Sequence, residues 1–279
     1  MKTKNILITN DDGVNAPGLM ALAVEMQKFG EVTILAPDRN WSVCGHARTL
    51  DRPMKVRDVR LENGMPAFAA DGSPADCVAL AARGFLPQKP DLVVSGINTT
   101  ANLGEDVIYS GTVAAAMEAA VWGIPAAAVS LDVPANPREA RSYAAAAFFA
   151  RRVLENASIY SLGAKVVLNI NIPALTLEEI RGVQSTRLGR RIYSDRVERR
   201  EDPRGNPYYW IAGDAPSGVS EHGTDIGAVS EGFVSVTPLH LDLTAYQHLL
   251  QISNWNWCER IEMRLPEKAI LLPELNIIN

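Results

Sequence analysis

The residues best able to do chemistry lie between Ile6 and Gly18, in ILITNDDGVNAPG, where an apolar run delivers Asp11 and Asp12 side by side ahead of a glycine. Two carboxylates about 4 Å apart repel by roughly 4 kcal/mol at an effective dielectric near 20, so a pair held at one point calls for a cation. An Asp-Gly step also serves a tight turn. The next residues argue against a simple hairpin: Pro17 suits the first turn of a helix, Leu19, Leu22, Ala23 and Met26 recur at helical spacing, and Gly30 suits the stop. The unit reads as strand, loop, helix. Carboxylates at the carboxyl end of such a strand lie where α/β sheets bind ligands.

The elements that must position this pair alternate. NILITN, EVTILAP, DLVVSG and AAAVSL read as strands, separated by helices near 17 to 29, 74 to 86 and 112 to 122; a helix over 139 to 155 and the strand AKVVLNINIP come next. Strands rich in Val, Ile and Leu between helices imply an α/β fold with a parallel sheet covered on both faces. From about 183 the pattern changes to aromatic and β-branched residues separated by charges and turn formers, which predicts a β-hairpin arm whose charge run is a solvated face. GFVSVTPLHLDLTAY reads as a returning strand, and the apolar end after Asn254 is expected to pack on a neighbouring subunit or back on its own domain. The expected division is a core over 1–182, the arm and returning strand over 183–244, and a tail over 245–279.

Two further strand ends carry informative residues. PDRNWSVCGH brings Asp38, Arg39, Asn40 and Ser42, and GINTTANLGEDVIYSGT brings Asn98, Asn102, Ser110 and Thr112. Loops leaving the same edge of a parallel sheet can meet Asp11 and Asp12 in one crevice. Two carboxylates, a hydroxyl and an amide oxygen make an all-oxygen set, with Ser42 and Asn98 its natural neutral members, and suit Mg²⁺, Mn²⁺ or Ca²⁺. Ser110, Gly111 and Thr112 open a helix of small residues, a candidate phosphate cradle whose plainer reading is an ordinary helix cap. Ser73 ahead of Pro74 reads as a structural cap, and His46 as a loop histidine that hydrogen-bonds, with general-acid work the alternative.

Composition narrows the classes. The 279 residues carry 27 basic against 32 acidic side chains, a formal charge of −5, which offers no general attraction to nucleic acid or an anionic membrane. Cys44, Cys77 and Cys258 lack the spacing of a disulfide framework or zinc cluster. With no signal-peptide pattern in MKTKNILITN and no apolar run of membrane-spanning length, a cytoplasmic protein is expected. The absence of GxxxxGK[ST] and of GxGxxG after the first strand disfavours a P-loop ATPase and a dinucleotide enzyme.

ILITNDDGVNAPGL, APDRNWS, GSPADCV, VVSGIN, NLGEDVIYSGTVAAAMEA, GTD and GFVSVTPLHLDLT together resemble the SurE-type nucleotidases, the stationary-phase survival protein E family, in order from about Ile6 to Thr244. The resemblance implies a Rossmann-like fold and a metal-dependent phosphatase acting on nucleoside 5′- and often 3′-monophosphates, some members also trimming short polyphosphate. It implies one divalent ion per subunit on Asp11, Asp12, Ser42 and Asn98, the two aspartates catalytic, and phosphate contacts from Asn102, Ser110, Gly111 and Thr112. It further implies a homodimer or tetramer built through the arm and an exchanged C-terminal segment. Thr99-Thr100-Ala101 and Val43 depart from the family pattern beside the metal, which bears on substrate preference more than on reaction type. A metal-dependent nucleotide-sugar transferase and a non-enzymatic nucleotide sensor are the alternatives.

Overall fold

The computed structural model describes residues 3–133, 143–157, 159–163, 165–213 and 216–255. Strands β1 (Asn5–Thr9), β2 (Glu31–Pro37), β3 (Val56–Arg60), β4 (Pro66–Ala70), β5 (Leu92–Asn98), β6 (Ala126–Asp132), β7 (Val166–Pro173), β8 (Val183–Ser185) and β13 (Val234–His240) form one nine-stranded sheet, ordered β3-β4-β2-β1-β5-β6-β7-β13-β8. From β4 to β7 all neighbours are parallel; β3 and β13 run antiparallel to their partners β4 and β7. The sheet is Rossmann-like, as expected.

Alternation along β1 shows how the sequence builds both faces. Ile6 and Ile8 point to one side, where α1 (Pro17–Met26) supplies Leu19, Leu22 and Met26 and α4 (Ala144–Asn156) supplies Ala146, Ala150 and Leu154. Leu7 points to the other, against Cys77, Val78 and Ala81 of α2 (Pro74–Ala82) and Val113, Ala116 and Ala119 of α3 (Gly111–Val121). Each fully buried Leu or Ile stabilises the fold by about 1.5–3 kcal/mol. The alanines of α3 let it seat close to the sheet. Pro17 is the first residue of α1, and Ser73 caps α2 through a capping box with Asp76.

The order of the strands creates the site. The chain runs from β1 out to β2 and β4, then returns to β5 on the opposite side of β1. The crevice above β1 and β5 is therefore a topological switch point, the place where open α/β sheets bind ligands. Gly18 keeps α1 tight against it, since a Cβ there would lie 2.2 Å from the Ile97 carbonyl oxygen.

Beyond the core the arm is more divided than its charge pattern implied. Only β10 (Arg196–Glu201) and β11 (Pro207–Ala212) make the hairpin, β8 joins the main sheet, and β9 (Arg191–Ile192) pairs with β12 (Ser217–Gly218). The hairpin exposes Val197, Tyr209, Trp210 and Ile211, by 59 to 80%. A short α5 (Asp225–Ser230) precedes β13. The chain divides into two compact units, Met1–Leu241 and Asp242–Asn279, and the described part of the second contains α6 (Tyr246–Ser253). The expected tail contacts beyond Trp255, and residues 139–142 of the helix expected over 139–155, lie outside the described residues. Among the described residues no helix is long and apolar enough to cross a membrane.

Candidate active site

β1 ends at Thr9, and buried Asn10 shapes the turn after it. Its Nδ2 donates to the Gly13 carbonyl at 3.0 Å and its Oδ1 accepts from the Gly13 amide at 3.2 Å. Gly13 sits at φ 101, so the Asp-Gly step does serve a turn, but one that leads into α1. The Trp41 amide donates to the Asp11 carbonyl at 2.7 Å, tying the loop after β2 to the loop after β1.

The two aspartates face different spaces. Asp11, 3% exposed, lines a cavity of about 330 Å³ with Ser42, Asn98, Asn102 and Ser110. Asp12 is half-buried and lines the adjoining pocket with Asp38, Arg39 and Asn40, and Thr99 borders both.

Asp11 meets the start of α3. Burial raises its carboxyl above the ordinary range, opposed by the Thr112 hydroxyl, which donates to Oδ1, and by the Gly111 and Thr112 amides. The helix start that the sequence offers to phosphate thus already supports a carboxylate. Gly111 permits the approach, because a Cβ there would lie 2.8 Å from Asp11 Cβ. Cys44 lies beside this contact, its thiol pushed up to about 11 by burial and then by the Asp11 charge.

Ser42 follows a turn in which its amide donates to Asn40 Oδ1 at 2.6 Å. The next residue, Val43, holds φ 59 while 76% exposed, a left-handed conformation costly for a β-branched side chain. Asn98 ends β5, and its Nδ2 donates to the Thr100 carbonyl at 2.7 Å, leaving the amide oxygen as the end available to a ligand.

Asn102 is clamped from below. The Asn171 side chain accepts from its amide at 2.8 Å and donates to its carbonyl at 3.2 Å, Asn169 donates to the same carbonyl at 2.8 Å, and Asn102 Nδ2 donates to Ser130 Oγ at 2.7 Å. Ser110 caps α3, accepting from the Val113 amide at 3.1 Å, and still lines the cavity. The helix-cap reading of Ser110 holds, and the residue also stands in the cavity with Asp11.

The donor chemistry fits a hard divalent ion. Asp11 is a buried carboxylate, and among the described residues no ion pair joins it to a basic side chain. An unpaired buried charge is costly, and a cation beside it removes that cost. No group of three or more His, Cys, Asp or Glu in metal-binding geometry occurs among the described residues. The residues offer instead the Asp11 carboxylate with neutral oxygens in one cavity and the Asp12 carboxylate in the adjoining pocket, oxygen donors of the kind Mg²⁺ or Mn²⁺ takes.

The family model described as Survival protein SurE matches residues 6–195. The chain belongs to the SurE family. It is 50% identical over 252 residues to a protein named 5′-nucleotidase SurE from Chloroflexus aggregans, covering 90% of this chain and 99% of that one. It is equally similar, 50% over 253 residues, to the 5′-nucleotidase SurE of Herpetosiphon aurantiacus, covering 91% and 98%. The crystal structure of the SurE protein from Aquifex aeolicus superposes with a TM-score of 0.72 at 42% identity, covering 89% of this chain and 98% of that one.

Around this SurE site stand Asp225 and Glu118, to which the sequence assigned no role, and His46, read there as a loop histidine that hydrogen-bonds. Asp225, buried in the GTD segment, accepts from the Gly104 amide at 2.8 Å and the Gly189 amide at 2.7 Å, joining the loop after β5 to the chain entering the arm. His46 does hydrogen-bond: its Nε2 lies 2.7 Å from Oε2 of buried Glu118, which also accepts from Arg48 at 2.5 Å and Trp122 at 2.8 Å. Burial works to raise the Glu118 carboxyl, but these partners hold it below the ordinary range. The GTD motif and the lone Glu within an alanine helix were the available signals.

Proposed function

We propose that this SurE-family chain is a divalent-metal-dependent phosphomonoesterase that hydrolyses nucleoside 5′-monophosphates to nucleoside and phosphate, with 3′-monophosphates and short polyphosphate as further substrates. The observation that carries the reading is buried Asp11, without a basic partner among the described residues, in one cavity with Ser42, Asn98 and Ser110. The 50% identity to proteins named 5′-nucleotidase SurE supports the substrate class.

Asp11, Asp12, Ser42 and Asn98 hold one Mg²⁺ or Mn²⁺ per subunit, and Ca²⁺ fits the same donors. The bound ion supplies charge neutralisation at the phosphoryl group and a more acidic water. Asp11 or Asp12 orients the attacking water in line with the leaving nucleoside. Asn102, Ser110 and the Gly111 and Thr112 positions at the α3 start orient the phosphoryl oxygens, so positioning and fixed dipoles provide much of the rate. The core over 1–182 carries the chemistry. The exposed apolar face of the hairpin supports assembly into a homodimer or tetramer through the arm and tail, and Cys44 and Cys77, both free, support a cytoplasmic location.

The test is inorganic phosphate release from a panel of nucleoside 5′- and 3′-monophosphates, using protein stripped by chelator and then given Mg²⁺ or Mn²⁺. Release that vanishes with chelator and returns with metal is expected. Silence from folded, metal-loaded protein moves the assignment to a nucleotide sensor or a nucleotide-sugar transferase.

A further inference from the structure

Arg191 is the single basic side chain among the described residues lining the Asp11 cavity. It comes from β9, at the base of the arm, within a charge run that is otherwise solvated. Its side chain is 11% exposed, against 56 to 70% for Arg196, Arg199 and Arg200 of the same run. The burial has a cause. Arg191 Nε and Nη2 both lie 2.6 Å from Asp106 Oδ2, the Tyr193 hydroxyl donates to Asp106 Oδ1 at 2.8 Å, and the Arg191 amide donates to Glu105 Oε2 at 2.7 Å. Asp106 itself lies in the loop between Asn102 and Ser110. A guanidinium fixed through Nε and Nη2 keeps the fork at Nη1 for another acceptor.

Arg191 enters the cavity from β9 of the arm, on its anchor Asp106, whereas Asp11 enters from the loop after β1. Tyr109 and Pro216 line the same cavity and add apolar surface of the kind a sugar or base covers.

We propose that Arg191, fixed by Asp106, recognises the nucleoside part of the substrate, donating to sugar or base oxygens while the phosphate lies at Asp11 and Ser110. The proposal rests on the nucleotidase reading and names a specificity residue for it.

The experiment compares Arg191→Gln, Arg191→Lys and Asp106→Asn with the unaltered full chain, on adenosine 5′-monophosphate and on p-nitrophenyl phosphate, which lacks a nucleoside. For Arg191→Gln the ratio of the two kcat/KM values is expected to fall about tenfold or more, mainly through KM for the nucleotide. Arg191→Lys recovers only part of the ratio, because it keeps charge without the fork, and Asp106→Asn shifts it the same way by releasing the guanidinium. Equal losses on both substrates, or an unchanged ratio, overturn the proposal. If the unaltered chain hydrolyses neither compound, the nucleotidase reading fails by itself. Calorimetric titration with adenosine 5′-monophosphate then decides Arg191: tenfold weaker binding by Arg191→Gln supports it, and equal binding overturns it.

Discussion

The Thr112 hydroxyl donates to Asp11 Oδ1 across 101 residues of chain, so a carboxylate after the first strand and a helix start after the fifth act as one unit. The hydroxyl both turns the carboxylate and favours its charged form.

Thr112→Val removes that donor at nearly constant volume. Mn²⁺ affinity, read by calorimetric titration, is expected to fall about tenfold, the scale of losing a hydrogen bond to a metal-holding group, and Thr112→Ser to retain most of it. Unchanged Mn²⁺ affinity with weaker inhibition by phosphate would assign the hydroxyl to the substrate.

Asp11 sets a pH dependence on the metal-free fold. Its folded pKa lies above the unfolded value, so its stabilising contribution is present below the unfolded pKa and lost as pH rises through the folded one. Above the unfolded pKa the buried carboxyl therefore burdens the metal-free protein. Asp11→Asn is expected to raise the metal-free Tm at pH 7 by about 2–4 °C and to abolish the further rise on adding Mn²⁺. A Tm that falls, or still responds to Mn²⁺, counts against both assignments.

Asn171 answers both backbone groups of Asn102 with one amide. Asn171→Ala leaves a buried N–H without its acceptor, and is expected to cost about 2 kcal/mol in urea unfolding and to lower kcat more than thermal stability at assay temperature explains. Wild-type kcat in a destabilised variant would limit Asn171 to holding the fold.

Glu118 titrates with the opposite sign to Asp11. Its folded pKa lies below the unfolded value, so its contribution is present above the unfolded pKa and lost as pH falls through the folded one. Glu118→Gln should reduce stability at pH 7 by about 1 kcal/mol, discounted because Arg48 and His46 are partly solvated, and flatten the acid limb of a Tm-against-pH curve. An acid limb as steep as before would place that dependence on other groups.

Much of the core was legible because its strands are apolar runs and its helices carry helical spacing, as in β1 with Ile6, Leu7 and Ile8 and α1 with Leu19, Leu22 and Met26. β3 and β4 were not read, since VRDVR is an edge strand with its charges exposed and PAFAA has neither alternation nor branching. Asp11, Ser42, Asn98, Asn102 and Ser110 were legible as residues at strand ends, and they line one cavity. Arg191 was not, because its solvated neighbours define the local pattern, while the partner that buries it, Asp106, lies 85 residues earlier. The clamp on Asn102 was hidden likewise, as Asn169 and Asn171 look like interruptions in an apolar strand.

That clamp also orders events during synthesis. Every proposed metal and phosphate residue, from Asp11 to Thr112, is made before the three side chains that hold the backbone of Asn102 and Gly104: Asn169 and Asn171 come 67 and 69 residues after Asn102, and Asp225 comes 121 after Gly104. A ribosome adding about 5–20 residues per second takes roughly 6 to 24 s to cover the longest of these gaps. For that interval the nascent chain carries its acidic pair without the groups that fix its phosphate-side loop. The complete pocket becomes a late product of translation, and a chain that stops before Asp225 lacks it.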